Sequence, residues 1–238
     1  MNTTITDREQ ASMQTQDQWT RFLSALTHEL RTPLASLRML AELLAGAPLG
    51  AQEKRYADNI QEVVQDIQSL VGDVAELARL LAGRVQPRTD EVALEKLVDQ
   101  VKESVRPWAW ERGIALTDSV DPALPRLLRI DPDRLRQTLT SLLGAAVSHA
   151  QSEVFFRLDL DGGNLRVVIS SNGPAFPEAA LQTVFEPFDN SVAARRRGGR
   201  SLALPLADEL ARVLGGTLHA GSWGGRPTFD LSLPAVAP

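Results

Sequence analysis

The chain has 238 residues, of which 25 are basic and 30 acidic, so its formal net charge is −5. This balance argues against a surface built to attract nucleic acid. Cysteine is absent, which excludes disulfides and thiol chemistry, and three histidines are too few to predict a histidine-based metal site. No apolar run approaches the about 20 residues of a membrane span, and the N-terminus lacks a signal-peptide core. We therefore expect a cytoplasmic protein with no membrane segment and with one large or two small domains.

The first helical pattern carries a histidine outside its apolar stripe. Residues 1–16 are polar and predict a flexible N-terminal segment, and a helix is expected from about Asp17 to Ala45. Leucines spaced by three and four residues share one face of this helix: Leu23, Leu26, Leu30, Leu34 and Leu37. His28 lies off that face and Glu29 follows it, which suits a solvent-accessible nucleophile beside a general base. A surface histidine without a function is the alternative interpretation.

A second helix with a longer apolar repeat is predicted from about Gln52 to Ala82, after a turn at residues 46–50. Its apolar residues alternate steps of four and three, as in a heptad repeat: Tyr56, Ile60, Val63, Ile67, Leu70, Val74, Leu77 and Leu81. Two long helices joined by a short turn form an antiparallel hairpin. A single hairpin cannot bury both stripes, so we expect two copies to form a four-helix bundle over residues 17–84. The alternative is that the stripe packs on the rest of the same chain.

The string His-Glu-Leu-Arg-Thr-Pro-Leu, from His28 to Leu34, resembles the phosphoacceptor box of two-component sensor histidine kinases residue for residue. The resemblance implies that His28 accepts and donates a phosphoryl group and that Glu29 assists its deprotonation. It implies that Thr32, on the same helix face four residues after His28, orients a water molecule that dephosphorylates a response regulator. It also implies the homodimer that the heptads predict.

The remainder of the chain, residues 91–236, changes to alternating strands and helices. Asp131 and Pro132 read as the N-cap and first residue of a helix that ends near His149. The other predicted elements are a strand at Val92–Leu94, a helix at Leu94–Arg106, strands at Ile114–Val120, Val154–Leu160 and Leu165–Ser170, a helix at Leu202–Leu214, and strands at Thr217–Gly221 and Thr228–Leu233. Helices segregated from a mostly antiparallel sheet predict an α/β sandwich, and the whole chain is expected to be of the α+β class.

This second part resembles the ATP-binding catalytic domain of the same kinases, which implies an α/β sandwich of the histidine kinase ATPase type. The resemblance rests on three strings: Asp131-Pro132-Asp133-Arg134-Leu135-Arg136-Gln137 before the N box, Phe185-Glu186-Pro187-Phe188 as the F box, and Gly215-Gly216-Thr217-Leu218. Together with His28, they occur in the order of the whole kinase core.

The strings that hold the nucleotide in that family are altered in this chain. Ala145 stands where the N box supplies an asparagine that binds magnesium, and alanine has no oxygen for this cation. Ser171 replaces the aspartate that accepts a hydrogen bond from adenine, and Ala175 replaces a glycine two residues after Gly173, which is kept. A serine can still accept that hydrogen bond, but without the strength that a charge adds.

The phosphate-binding box is altered in the same way. Gly199 is kept, but Ser201 and Ala203 replace two glycines whose missing Cβ would let the backbone approach a phosphate. Arg195-Arg196-Arg197 is the charge cluster of the preceding segment, and a solvated or partner-binding role is as plausible there as a phosphate contact. The resemblance thus predicts a vestigial nucleotide site at Ser171, Gly173 and Gly199. No cofactor is expected, except ATP with magnesium if the divergent pocket still binds it.

Three hypotheses follow. In the first, His28 exchanges phosphoryl with a response regulator receiver domain, and the chain is a phosphotransfer protein or response-regulator phosphatase with impaired ATP binding. In the second, it is an active sensor histidine autokinase with a divergent ATP site. In the third, it is a non-catalytic pseudokinase scaffold that regulates a partner histidine kinase. The first agrees both with the intact phosphoacceptor box and with the altered nucleotide boxes. His149 and His219 have no partner motif and are expected to be structural or exposed.

Overall fold

The computed structural model describes Leu30, residues 34–44, Gly46, residues 50–187 and residues 202–234. The chain divides into two compact units, the first ending at Arg84 and the second beginning at Val85. Four predicted site residues, namely His28, Glu29, Thr32 and Gly199, lie outside the described residues, as does the arginine cluster 195–197.

The first unit is helical, with residues 34–44 forming α1 and Ala51–Leu81 forming α2. Helix α2 matches its predicted bounds to within one residue at each end. It ends where Gly83 takes a φ of 63°, and the Arg84 N–H then donates to the Arg79 carbonyl at 3.1 Å, which closes the last turn. The side chains buried in this unit include Leu34, Ala41, Ala57, Val64, Leu77, Ala78 and Leu80.

Most of the predicted heptad stripe of α2 is not buried within this unit. Exposure is 57% at Tyr56 and 56% at Val63, whereas the next residues along the chain, Ala57 and Val64, are 0% and 4% exposed. Helix α1 also presents exposed apolar side chains, namely Leu37, Met39, Leu40, Leu43 and Leu44. In the N-terminal half of α2 the buried positions, Ala57 and Val64, therefore lie one residue after the exposed stripe positions, whereas Leu77 of the stripe is buried.

The second unit is the predicted α/β sandwich. Its elements are β1 (Asp90–Ala93), α3 (Leu94–Glu111), β2 (Ala115–Val120), β3 (Leu127–Ile130), α4 (Pro132–His149), β4 (Glu153–Asp161), β5 (Asn164–Ser171), α5 (Glu178–Thr183), α6 (Ala203–Val213), β6 (Thr217–Trp223) and β7 (Arg226–Pro234).

The described strands form a five-stranded sheet in the order β2-β4-β5-β7-β6, with β1 and β3 as a separate antiparallel pair. Strands β2 and β4 run parallel, whereas the other neighbours in the sheet are antiparallel. Apolar side chains of α3, α4 and α6 pack with alternate residues of the strands in one core. The sheet is therefore mostly antiparallel, as predicted.

Three details of this unit differ from the sequence prediction. Helix α3 does not end at Arg106 but continues through Pro107 to Glu111, because Val105 and Ala109 extend its buried stripe past the proline. Strand β3 was not predicted, since it has four residues and gains its hydrogen bonds from β1. The six-residue helix α5 was also not predicted, because one turn and a half is too short for a periodic pattern.

Candidate functional site

Helix α4 carries the altered N box on its C-terminal half. Asp131 caps its start, since Asp131 Oδ1 accepts from the backbone N–H groups of Asp133 at 3.1 Å and Arg134 at 3.0 Å. Ala145 is 6% exposed. The position at which the resemblance implies a magnesium ligand therefore holds a buried methyl group, which offers a cation no oxygen.

The loop after β5 packs directly against the end of α4. A Cβ at Gly173 would collide with the backbone oxygen of His149, so the close approach of the two segments requires a glycine. His149 Nε2 lies 2.7 Å from the Pro174 carbonyl oxygen, which only accepts, so this nitrogen carries the proton. The same imidazole stacks on Phe176, with ring centroids 4.9 Å apart. His149 thus has a structural role, as expected, since it holds the loop after β5 against the end of α4.

Asn172 joins this loop to the segment that connects α4 to β4. Its Oδ1 accepts from three consecutive backbone N–H groups, those of Gln151, Ser152 and Glu153, at 3.0–3.1 Å. Its Nδ2 donates to Ser152 Oγ at 2.7 Å. One amide side chain therefore provides the acceptor for three backbone N–H groups of a turn 19 to 21 residues away in the chain.

Family models match both parts of the chain. Residues 18–83 match the His Kinase A (phospho-acceptor) domain, and residues 130–237 match the histidine kinase-, DNA gyrase B-, and HSP90-like ATPases. The chain belongs to the two-component histidine kinase family. It contains the phospho-acceptor domain followed by the ATPase domain, which is the order of the kinase core.

Named relatives agree with this assignment. The chain is 30% identical over 224 residues to the sensor histidine kinase AruS of Pseudomonas aeruginosa, and the match covers 90% of the chain and 22% of AruS. It is 28% identical to the autoinducer 2 sensor kinase/phosphatase LuxQ of Vibrio cholerae, covering 90% of the chain and 26% of LuxQ. The crystal structure of full-length ShkA in complex with AMPPNP matches with 31% identity and a TM-score of 0.79, over 92% of the chain and 46% of ShkA. The chain thus spans less than a third of the length of the two curated relatives.

Within the ATPase domain, Ser171 is the predicted adenine-binding position. It ends β5 on the same side of the strand as Ile169, and it is 2% exposed. Among the described residues its hydroxyl has no hydrogen-bond partner. Gly173 follows two residues later in the loop that contacts α4, so the structure brings these two predicted site residues together with His149.

The other predicted parts of the nucleotide site are described only in part. Phe185 of the F box is half-buried and packs against the core, whereas Phe188 lies outside the described residues. Ala203 begins α6 and is 9% exposed. The helix start thus carries a buried methyl group where the family resemblance implies a glycine.

Charged side chains elsewhere in the ATPase domain pair with one another. Arg166 donates to both carboxylate oxygens of Asp230, and these hydrogen bonds raise the pKa of the guanidinium. Burial raises the pKa of Asp208, although Arg212 at 2.7 Å opposes the shift. His219 is exposed on β6.

The residues that the structure describes contain neither a cluster of metal ligands nor a helix able to span a membrane. No group of three or more histidine, aspartate or glutamate side chains in this part of the chain is arranged to hold a metal ion. Among the same residues, no helix combines the length and the apolar character that a membrane span requires.

Ser171, Gly173 and Ala145 were predicted as site positions from the sequence, whereas no role was predicted for Asn172 and none at this site for His149. An asparagine directly after a strand and before a glycine was the available signal, because asparagine side chains commonly bond to backbone groups in loops. Nothing in the local sequence indicated that its three donors lie 19 to 21 residues earlier.

Proposed function

We propose that this kinase-family chain is a phosphotransfer protein or response-regulator phosphatase whose ATPase domain binds nucleotide weakly or not at all. The buried methyl group at Ala145 carries the proposal. Magnesium requires oxygen ligands, and the phosphates of ATP depend on this cation for charge neutralisation. An alanine at this position has no oxygen, so helix α4 cannot supply that ligand there.

Ser171 supports the same conclusion. A carboxylate at this position would accept a charge-assisted hydrogen bond from adenine, which is roughly twice as strong as a neutral one. The serine offers only a neutral hydroxyl, so both the base and the metal lose their strongest expected contact. The ATPase domain keeps its fold, because its core and the contacts of Asn172 and Gly173 do not involve a nucleotide.

The phosphoacceptor part supports an active phosphoryl exchange. His28, Glu29 and Thr32 keep the residue types of the family motif, and they lie within the matched phospho-acceptor domain. Phosphoryl transfer depends mostly on positioning and charge neutralisation, so a histidine helix can exchange phosphoryl with a receiver aspartate without its own ATP site. The relative LuxQ is named a sensor kinase/phosphatase, so a phosphatase activity is ascribed to a protein similar to this chain.

A homodimer is part of this proposal. The exposed side of α2, with Tyr56, Ile60 and Val63 at 42–57% exposure, continues the heptad repeat away from the buried seam of the single chain. A second copy would cover this stripe in a four-helix bundle. A partner histidine kinase of the same family offers the same kind of surface and is the alternative mate.

An active autokinase is the second candidate. It is favoured by one observation, the 31% identity to ShkA, which was solved with the ATP analogue AMPPNP. The two candidates differ in ATP affinity, which can be measured directly.

The deciding experiment is titration calorimetry of ATP with magnesium into the purified chain. We expect no binding at micromolar concentrations, and low-micromolar affinity would refute the proposal and favour the autokinase. The double variant Ala145→Asn, Ser171→Asp is the matched positive control, because it restores both predicted ligands.

The phosphoryl exchange needs its own test. Receiver domains labelled with radioactive acetyl phosphate should pass label to the wild-type chain or lose it faster in its presence. His28→Ala should abolish labelling of the chain. Thr32→Ala should retain labelling but slow dephosphorylation of the receiver. Unchanged behaviour of the receivers with wild type and both variants would leave only the scaffold hypothesis.

A further inference from the structure

One carboxylate in the ATPase unit holds both the linker and a helix start. Asp131 is 7% exposed, and its two oxygens have different partners. Oδ1 accepts from the N–H groups of Asp133 and Arg134 at the start of α4, whereas Oδ2 accepts from the backbone N–H of Arg88 at 2.8 Å. Arg88 precedes Asp131 by 43 residues and belongs to the segment that follows the phospho-acceptor unit.

The linker, residues 85–89, makes few other interactions with the ATPase unit. It lies between Gly83, the residue after the C-cap of α2, and the start of β1 at Asp90, and residues 85–89 have no regular structure. Within the part of the chain that the structure describes, residues 85–89 make a single hydrogen bond, the one from the Arg88 N–H to Asp131. A cleft of about 390 Å³ adjoins it, lined in part by Pro87, Thr89 and Asp131, so the linker has room to shift.

The other end of α4 reaches the candidate site. This helix has 18 residues and is thus about 27 Å long. Its N-cap is Asp131 and its last residue is His149, which contacts Gly173 and Pro174. A change in the path of the linker would therefore act on one end of a rigid element whose other end supports the loop of the nucleotide site.

We infer that Asp131 is a positioning residue that couples the linker at Arg88 to the loop at residues 173–176 through helix α4. This coupling goes beyond the proposed function and is the same whether or not the domain binds ATP. A change in the linker would thus alter the loop at residues 173–176, and a change in that loop would alter the linker.

Asparagine at this position separates the two roles of the carboxylate. Asn caps a helix as well as Asp does, but its amide has one acceptor oxygen and presents NH₂ in place of the other. In Asp131→Asn, the oxygen can continue to cap α4, and the NH₂ then faces the Arg88 N–H, donor against donor. Asp133→Asn is the matched control, since Asp133 is an exposed acid of the same helix turn whose side chain pairs with Arg136.

The test is amide hydrogen exchange of the full chain, resolved to single residues. In Asp131→Asn, exchange of the Arg88 amide should become about tenfold faster or more, as expected for loss of one bond to a charged acceptor. The amides of Gly173, Ala175 and Phe176 should also exchange faster than in Asp133→Asn. Unchanged protection at Arg88 would refute the hydrogen bond, and faster exchange at Arg88 without any change at residues 173–176 would refute the coupling.

A second variant approaches the same bond from the linker. Arg88→Pro removes the donor itself and leaves α4 untouched. It should accelerate exchange at residues 173–176 as Asp131→Asn does. If Asp131→Asn does not fold, as judged by circular dichroism, this variant decides alone, and wild-type exchange at residues 173–176 would then overturn the inference.

Discussion

Asn172 gives the sharpest prediction for the stability of the candidate site. In Asn172→Ala, three backbone N–H groups lose their acceptor at once, and Ser152 Oγ loses a donor. Two of the three backbone bonds are exposed and one is partly buried. Water can therefore replace the lost acceptor more fully for the two exposed N–H groups than for the partly buried one. With about 0.5 kcal/mol for each exposed bond and about 1 kcal/mol for the other, the expected loss is about 2 kcal/mol. For a protein of this size that corresponds to a decrease in Tm of about 4–8 °C.

The measurement is thermal unfolding followed by tryptophan fluorescence, since Trp108, Trp110 and Trp223 all lie in the second unit. Asn172→Asp is the matched variant, because a carboxylate retains the acceptor and loses only the donated bond to Ser152. We expect it to unfold within about 2 °C of wild type. A Tm of Asn172→Ala within 1 °C of wild type, by the same assay, would refute the reasoning. Equal losses in both variants would assign the stabilisation to the Ser152 bond instead.

Further variants test other parts of the structure. Gly173→Ala should cost about 1–3 kcal/mol, because the added Cβ must displace the loop from α4. Gly72→Ala, within α2 and with open space around its Cβ position, should instead add about 0.5–1 kcal/mol in urea unfolding. Burial raises the pKa of Asp208, because its charged carboxylate is less stable in the folded protein than in the unfolded chain. The wild-type protein therefore becomes less stable as the pH rises through this raised pKa. Asp208→Asn should therefore unfold at higher urea than wild type at neutral pH, with a gain that disappears below about pH 4. Val63→Glu should give a monomer in sedimentation velocity, whereas Gln65→Glu, which lies off the stripe, should not.

Much of the fold was predictable from periodicity. Helix α2 and the hairpin of β4 and β5 have long, regular patterns, and the structure confirms them almost to the residue. Helix α3 was predicted too short, because a proline usually ends a helix, whereas here the buried stripe continues to Ala109. The one-position displacement of the buried seam on α2 was not predictable, since Ala57 has too small a side chain to mark a core position beside Tyr56.

The site was predictable where its chemistry depends on residue identity and not where it depends on contacts. The missing oxygen at Ala145 and the missing charge at Ser171 are visible in the sequence alone. By contrast, the bonds from Asn172 to the turn at Ser152, and from Asp131 to Arg88, join segments 20 and 43 residues apart. Such side-chain to backbone bonds have no periodic pattern, so only the folded structure shows them.

The loop of the candidate nucleotide site is complete without a ligand. Asn172 satisfies the backbone of the neighbouring turn, and His149 bonds to Pro174 and stacks on Phe176. A weak ligand should add little to the stability of a loop whose polar groups are already hydrogen-bonded. Stabilisation by binding is RT ln(1 + [L]/Kd), which is about 0.4 kcal/mol when the ligand concentration equals Kd. If Kd for ATP is millimolar or weaker, 1 mM MgATP should therefore raise Tm by no more than about 2 °C. A larger shift would mean that the remaining backbone groups bind phosphate without the lost asparagine and aspartate, and the ATPase domain would then be a working nucleotide site.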